Sequence, residues 1–275
     1  MRKDHYARFD GIVLFTRKYK EKDLLIKIFT KEFGKRMFFI KNIQRQNNGL
    51  REIAFPYMRA SFVGTINDKG FSFLNDTDDV LFPKATISNI QANAYAAYMT
   101  GLTDAAFEDF IEEDKVFNLL WQGLGKIEAG VDPSVVANIF EIQLLPKFGV
   151  GPNFRSCAIC GRDQGRFDYS MQYAGVLCEQ HFHMDDRRLH WSPRASHFIR
   201  LFSQIPYDKL GQVDLQATTK TEIRQALDDL YEEYVGIHLK SKHFISQMET
   251  FVNPLDDKRE KKYDNSWIKE VQWKY

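Results

Sequence analysis

The chain has 275 residues, 44% of them hydrophobic and 27% charged, which favours about two folded domains and excludes a disordered chain. No apolar run approaches the ~20 residues of a membrane-spanning helix, and Met1-Arg2-Lys3-Asp4-His5-Tyr6 lacks the apolar core of a secretory signal, so a cytoplasmic protein with no membrane partner is expected. The net charge of +1 conceals an asymmetry: residues 1–59 carry 15 Lys+Arg against 6 Asp+Glu, whereas residues 84–275 carry 22 against 27, so a polyanion is expected at the front end.

The front reads as strands. Gly11-Ile12-Val13-Leu14-Phe15-Thr16 is a β-branched and aromatic run, and residues 24–30 form another. Lys31-Glu32-Phe33-Gly34 makes a turn, and residues 35–40 follow as a third strand. Residues 53–63 read as a fourth, edge or bulged, because Pro56 cannot donate to a ladder. After the Asn67-Asp68-Lys69-Gly70 turn, Phe71-Ser72-Phe73-Leu74 begins a fifth. Five short strands in so few residues suit a small closed barrel. An oligonucleotide-binding (OB) barrel is the commonest such solution, and an SH3-like barrel reads much the same.

After Pro83 the period becomes helical. Ile87, Ile90, Ala94 and Ala97 mark a helix within 85–103, and Phe117, Leu120, Leu124 and Ile127 mark one over 116–127. Gly130 ends that helix, and Pro133 opens a central one carrying Val135, Val136, Ile139, Phe140 and Ile142. Residues 154–190 break the rhythm and hold all three cysteines. Helical period returns at Pro193 and over 219–248, and a Lys-, Asp- and Glu-rich tail carrying Trp267 and Trp273 is expected to be mobile. The expected organisation is α+β and multidomain. It comprises a five-stranded OB barrel over 1–82, helical segments 83–153 and 191–250, an inserted zinc-ribbon-like module at 154–190, and a charged tail at 251–275.

Cys157-Ala158-Ile159-Cys160 and Cys178-Glu179-Gln180-His181 are two ligand pairs of equal spacing. Such knuckles at this separation signal a zinc ribbon. A Cys3His shell is closed and leaves no position for water, so the zinc is structural. His183 is the competing fourth ligand. A zinc deaminase needs a His-x-Glu and a Pro before its cysteine pair; here Ser156 precedes Cys157 and no His-x-Glu occurs. There is no phosphate-loop or dinucleotide fingerprint either, so no nucleotide cofactor is expected.

Arg17, Lys18, Lys20 and Lys22 cluster between the first two strands, and Lys35, Arg36, Lys41, Arg45 and Arg51 cluster in and after the third. In an OB barrel those are the places that face nucleic acid. Phe38, Phe39 and Tyr57 are candidate stacking platforms, with at least one of Phe38 and Phe39 expected in the core because strand neighbours face opposite sides. The polar stretch 44–49 reads as a loop that orders on binding a backbone.

The order of these features resembles RecO, a bacterial recombination-mediator family. The resemblance rests on Gly11-Ile12-Val13-Leu14, Tyr19, Phe29-Thr30 and Gly34-Lys35. It continues through Phe140-Glu141-Ile142-Gln143-Leu144-Leu145, Phe148-Gly149, Cys160-Gly161, Gly175-Val176-Leu177-Cys178 and His238-Leu239-Lys240-Ser241-Lys242. The family's basic run after the third strand is here the less charged Lys41-Asn42-Ile43-Gln44-Arg45, and His181 stands where many members have cysteine. The resemblance implies a non-enzymatic role in recombinational repair, in the cytoplasm and associated with the nucleoid. It implies binding of single- and double-stranded DNA, annealing of complementary strands, and work with RecR to load RecA. It also implies a site for the C-terminal tail of single-stranded DNA-binding protein, for which Lys240 and Lys242 are candidate rim residues. The alternative is a zinc-ribbon interaction adaptor without annealing activity.

Overall fold

A computed structural model describes residues 5–43, 50, 53–68 and 70–256. The expectations for the 44–49 loop, Arg45, Arg51, Trp267 and Trp273 lie outside the described residues. The chain divides into two units, Met1–Gly130 and Val131–Tyr275.

In the first unit, β1 (His5–Tyr19), β2 (Asp23–Thr30), β3 (Gly34–Ile40), β4 (Arg59–Ile66) and β5 (Ser72–Leu81) pair in the closed order β1-β2-β3-β5-β4. All pairings are antiparallel except β3 with β5. β1 is longer than expected because it serves two neighbours. Its first half pairs with β4 and its second with β2, and a register shift between Val13 and Phe15 marks the changeover. β4 starts later than expected: Tyr57, next to Pro56, has a φ of 68°, which turns the chain before a ladder can form.

Alternation sends Phe9, Val13, Ile26, Ile28, Phe38, Ile40, Phe62 and Leu74 inward. Phe9 stacks at 5.4 Å on Phe38 and at 5.9 Å on Phe62. Gly34 holds the β2–β3 turn at a φ of +69°, and a Cβ there would stand 2.8 Å from the Ile111 nitrogen. Gly34→Ala therefore combines backbone strain with a backbone clash. It is expected to cost roughly 2 kcal/mol, read as a lower denaturant midpoint; an unchanged midpoint would show that the turn relaxes freely.

Three helices complete this unit: α1 (Lys84–Ser88), α2 (Ile90–Ala106) and α3 (Asp114–Glu128). The single helix expected over 85–103 is interrupted because Asn89 is extended and its side chain accepts the Ala92 N–H as an N-cap. α3 buries Val116, Phe117, Leu120, Leu124 and Ile127, one apolar stripe. Phe29 of β2 packs at 5.3 Å on Phe107 and at 5.4 Å on Phe117. These contacts pack α3 and the residue that follows α2 against the barrel.

The second unit is built on α4 (Pro133–Leu144), whose residues are buried on almost every side. That helix packs against α5 (Pro193–Phe202) and α6 (Ala217–Tyr234); the hairpin β6 (Phe167–Ser170) and β7 (Gly175–Cys178) meets α5, and α7 (Lys240–Asp256) pairs Lys242 with Asp228 of α6. Glu141 of α4 is fully buried and pairs with both terminal nitrogens of Arg224 at 2.6 Å, while the Tyr231 hydroxyl donates to its carbonyl at 2.9 Å. A buried carboxylate is tolerable only with such partners. The long helix expected over 219–248 is two helices. Gly236, at a φ of 63°, donates its N–H to the Tyr231 carbonyl and closes α6. α7 runs to Asp256, so 251–256 belong to a helix and not to the tail. Among the described residues, no helix is long and apolar enough to cross a membrane.

Candidate metal centre and nucleic-acid interface

The metal-ligand candidates come together at the base of the β6–β7 hairpin. Gly161, in the left-handed region at a φ of 73°, returns its N–H to the Cys157 carbonyl, and the Cys157 N–H donates to Arg162, closing the first knuckle. The Ala158 N–H donates to Val176, which ties that knuckle to β7. Cys178 ends β7, and a single 3-10 segment, Glu179–Met184, carries His181 back over it.

The ligand atoms of Cys157, Cys160, Cys178 and His181 all lie within 4.8 Å of one another. Cys160 Sγ is 3.8 Å from Cys178 Sγ, and His181 Nδ1 is 3.6 Å from Cys157 Sγ and 3.3 Å from Cys178 Sγ. With metal–sulfur near 2.3 Å and metal–nitrogen near 2.0–2.1 Å, a tetrahedral shell has edges of about 3.8 Å (S···S) and about 3.5 Å (S···N). The donor set therefore fits a zinc ion. His183 stands outside the group, so the fourth position goes to His181. Burial raises the Cys157 thiol, but hydrogen bonding at Cys160, Cys178 and Ile159 outweighs it and brings the thiol down to about 6. Burial pushes the Cys178 thiol up. A metal ligand must be deprotonated, and Cys157 is arranged to be so near neutrality.

Two supporting residues were not visible in the sequence. Arg200 of α5 donates to the carbonyls of Phe154, Arg155 and Asp163, at 3.1, 2.8 and 2.8 Å, and lies over the Phe167 ring. Asp168 is buried, accepts the N–H groups of His190 and Trp191, and pairs with Arg188 Nε at 2.9 Å. Backbone carbonyls as partners leave no mark in composition, so the signal for Arg200 was absent.

The cationic candidates of the first unit separate into two groups. Arg17, Lys18, Lys20 and Lys22, around the β1–β2 turn, and Lys41, just beyond β3, are exposed. Lys35 and Arg36 are buried, which corrects their assignment to the nucleic-acid face. Lys35 Nζ donates to the carbonyls of Thr103, Asp104 and Phe107 at the C-terminal end of α2. There a cation answers the helix dipole and the unpaired carbonyls. It also lies 3.7 Å from the Asp104 carboxylate and 3.8 Å from that of Asp109, beside Lys27. Burial pushes the Lys35 ammonium down. Arg36 donates to the carbonyls of Phe33 and Asn67 at 2.9 and 2.8 Å and covers the Phe110 ring. Both side chains hold the fold and present no charge to a ligand.

The aromatic candidates are sorted likewise. Phe38 is core and Phe39 faces out, as alternation requires. Tyr57 is buried, which removes it as a stacking platform. In the second unit, Lys242 is ion-paired with Asp228 at 2.7 Å, whereas Lys240 is exposed at the start of α7.

Residues 1–80 match the family described as Recombination protein O N terminal, and residues 87–243 match Recombination protein O C terminal. A DNA repair protein RecO from Enterococcus faecalis is 47% identical over 245 residues, covering 89% of this chain and 94% of that protein. Proteins of the same name from Lactiplantibacillus plantarum and Streptococcus pneumoniae are 41% and 42% identical, covering 90% and 86% of this chain and 96% and 92% of their own lengths. The two family models together span nearly all of the described chain, and relatives above 40% identity align over most of its length, so this chain belongs to the RecO family of DNA repair proteins.

Proposed function

We propose that the protein is a non-catalytic mediator of recombinational repair. Its barrel acts as an OB fold that binds single- and double-stranded DNA, and its exposed lysine and arginine side chains let two complementary strands approach and anneal. The observation that carries this reading is the group of exposed cations, Arg17, Lys18, Lys20, Lys22 and Lys41, at one end of the barrel. Phosphate repulsion is the barrier to pairing two strands, and cations that neutralise phosphates lower it. Arg45 and Arg51 are proposed to contribute to DNA binding as well.

Zinc, held by Cys157, Cys160, Cys178 and His181, supplies structure to the helical unit and no reaction step. The partners in this reading are RecR, RecA indirectly, and the C-terminal tail of single-stranded DNA-binding protein, in the nucleoid-associated cytoplasm. For an acidic, apolar tail the second unit offers an open groove of about 420 Å³ whose lining is half apolar, with Ile142, Pro146, Pro152 and Phe154 beside Arg155 and the polar Gln143, Asn153, Ser203 and Gln204. Lys240 and Lys242 are proposed as secondary candidates.

The experiment is a pairing assay with two complementary fluorescent oligonucleotides. The protein is expected to accelerate annealing, and Arg17→Glu combined with Lys18→Glu to abolish most of the acceleration. No acceleration by the unaltered protein would leave the zinc-ribbon adaptor as the better reading.

A further inference from the structure

The fifth strand is patterned the wrong way round for a core. Ser72 is fully buried, and its hydroxyl accepts the Asn67 N–H at 3.1 Å, while its neighbours Phe71 and Phe73 are 43% and 46% exposed. Placing a serine inside and two phenylalanines outside loses apolar burial on both counts. Such an inversion marks a surface used for binding.

The exposed rings do not stand alone. Register aligns Arg17 with Leu25, Leu25 with Phe39, and Phe39 with Phe73, so these side chains share the outer face across four strands. Tyr19, two residues beyond Arg17, falls on the same face. The four rings touch in sequence. Tyr19 meets Phe39 edge-on at 5.9 Å and Phe71 at 6.5 Å, and Phe39 stacks with Phe71 at 6.4 Å and meets Phe73 at 6.2 Å. Lys20 Nζ lies 5.6 Å from the Tyr19 ring centre, and Lys41 follows β3 directly. Glu21 and Asp23 are the carboxylates nearest in the turn, and Asp23 Oδ1 accepts the Asn42 N–H at 3.0 Å, which fixes the two loop ends together.

From this we infer that Tyr19, Phe39, Phe71 and Phe73 form a stacking platform for the unpaired bases of a single-stranded polynucleotide, with Arg17, Lys20 and Lys41 taking the adjoining phosphates. The inference rests on the DNA-binding reading above and deepens it. A cationic margin selects a polyanion, and a contiguous aromatic surface selects one whose π-faces are free. A duplex hides its base faces, so the platform favours single strands and does so without regard to sequence. Rings presented from β1, β3 and the start of β5 are also already in place before the strand arrives.

The test compares three labelled ligands by fluorescence anisotropy: oligothymidylate, an abasic strand of the same length and charge, and a duplex. The unaltered protein is expected to bind oligothymidylate about 5- to 150-fold more tightly than the abasic strand, the span for a single stacked base. Phe71→Ala with Phe73→Ala, and Phe39→Ala separately, are expected to remove most of that preference. Both should leave abasic and duplex affinity within about twofold, and the Phe71→Ala, Phe73→Ala variant should keep its melting midpoint nearly unchanged, because those two rings are 43% and 46% exposed. Equal affinity for oligothymidylate and the abasic strand would overturn the platform and leave the cationic surface standing. A protein that bound none of the three ligands would overturn the DNA-binding reading itself, and the platform with it.

Discussion

Removing zinc is expected to unfold the hairpin module of the second unit. Purified protein should carry one zinc per chain. Exhaustive chelation, or Cys178→Ser, should abolish the near-ultraviolet signal of the rings it orders: Tyr169 stacks on Trp191 at 5.1 Å, and Phe154 lies 5.5 Å from Tyr169. Structural zinc contributes on the order of 10 kcal/mol, comparable with the whole stability of a domain. Acid should act as the chelator does, because protons compete with the metal for thiolates. A chain purified free of metal that melts cooperatively, with no response to chelator, would show that the four residues are not a structural centre.

The second large effect separates a folding lysine from a binding one. Lys35→Ala is expected to cost about 3 kcal/mol, because it strands three carbonyls at the end of α2 and unbalances Asp104 and Asp109. Lys27 limits the damage by keeping its own pairs with the same carboxylates, at 2.5 and 2.9 Å. Burial pushes Lys27 down, but Asp104 and Asp109 hold it above the ordinary lysine value of 10.5. Its contribution is thus full below that value and lost as pH rises through the higher folded value. Chemical denaturation measures the loss in Lys35→Ala, and DNA affinity of the folded fraction should be almost unaltered. A variant of full stability with impaired DNA binding would return Lys35 to the ligand face.

Lys35 also shows where sequence stops being informative. A lysine on a strand among other basic residues reads as surface charge. Its real partners are backbone carbonyls nearly 70 residues away, contributed by a helix end that no local pattern reveals. The metal cluster was legible for the opposite reason: equal spacing, glycines at the turns and the use of every cysteine specify the site locally. Helices α3, α4 and α5 were visible from apolar period and from Pro133 and Pro193 at their first turns. Asn89 and Gly236 each divided a segment that was periodic throughout, because a cap is one residue and the period continues across it. The aromatic face was hidden by phase. In Phe71-Ser72-Phe73-Leu74 alternation fixes which residues share a face but not which face is inside, and hydrophobicity alone favours the wrong answer.

The central claim is that the exposed cations at the end of the barrel exist to neutralise a polynucleotide backbone. The most direct test is single-strand affinity across a salt series, for the unaltered protein and for Arg17→Glu with Lys18→Glu. The account predicts measurable binding in dilute buffer, with log affinity falling against log salt by about 0.7 per neutralised phosphate. The slope should be shallower by about 1.4 in the double variant. No binding at low salt, or the same slope in both proteins, would contradict it.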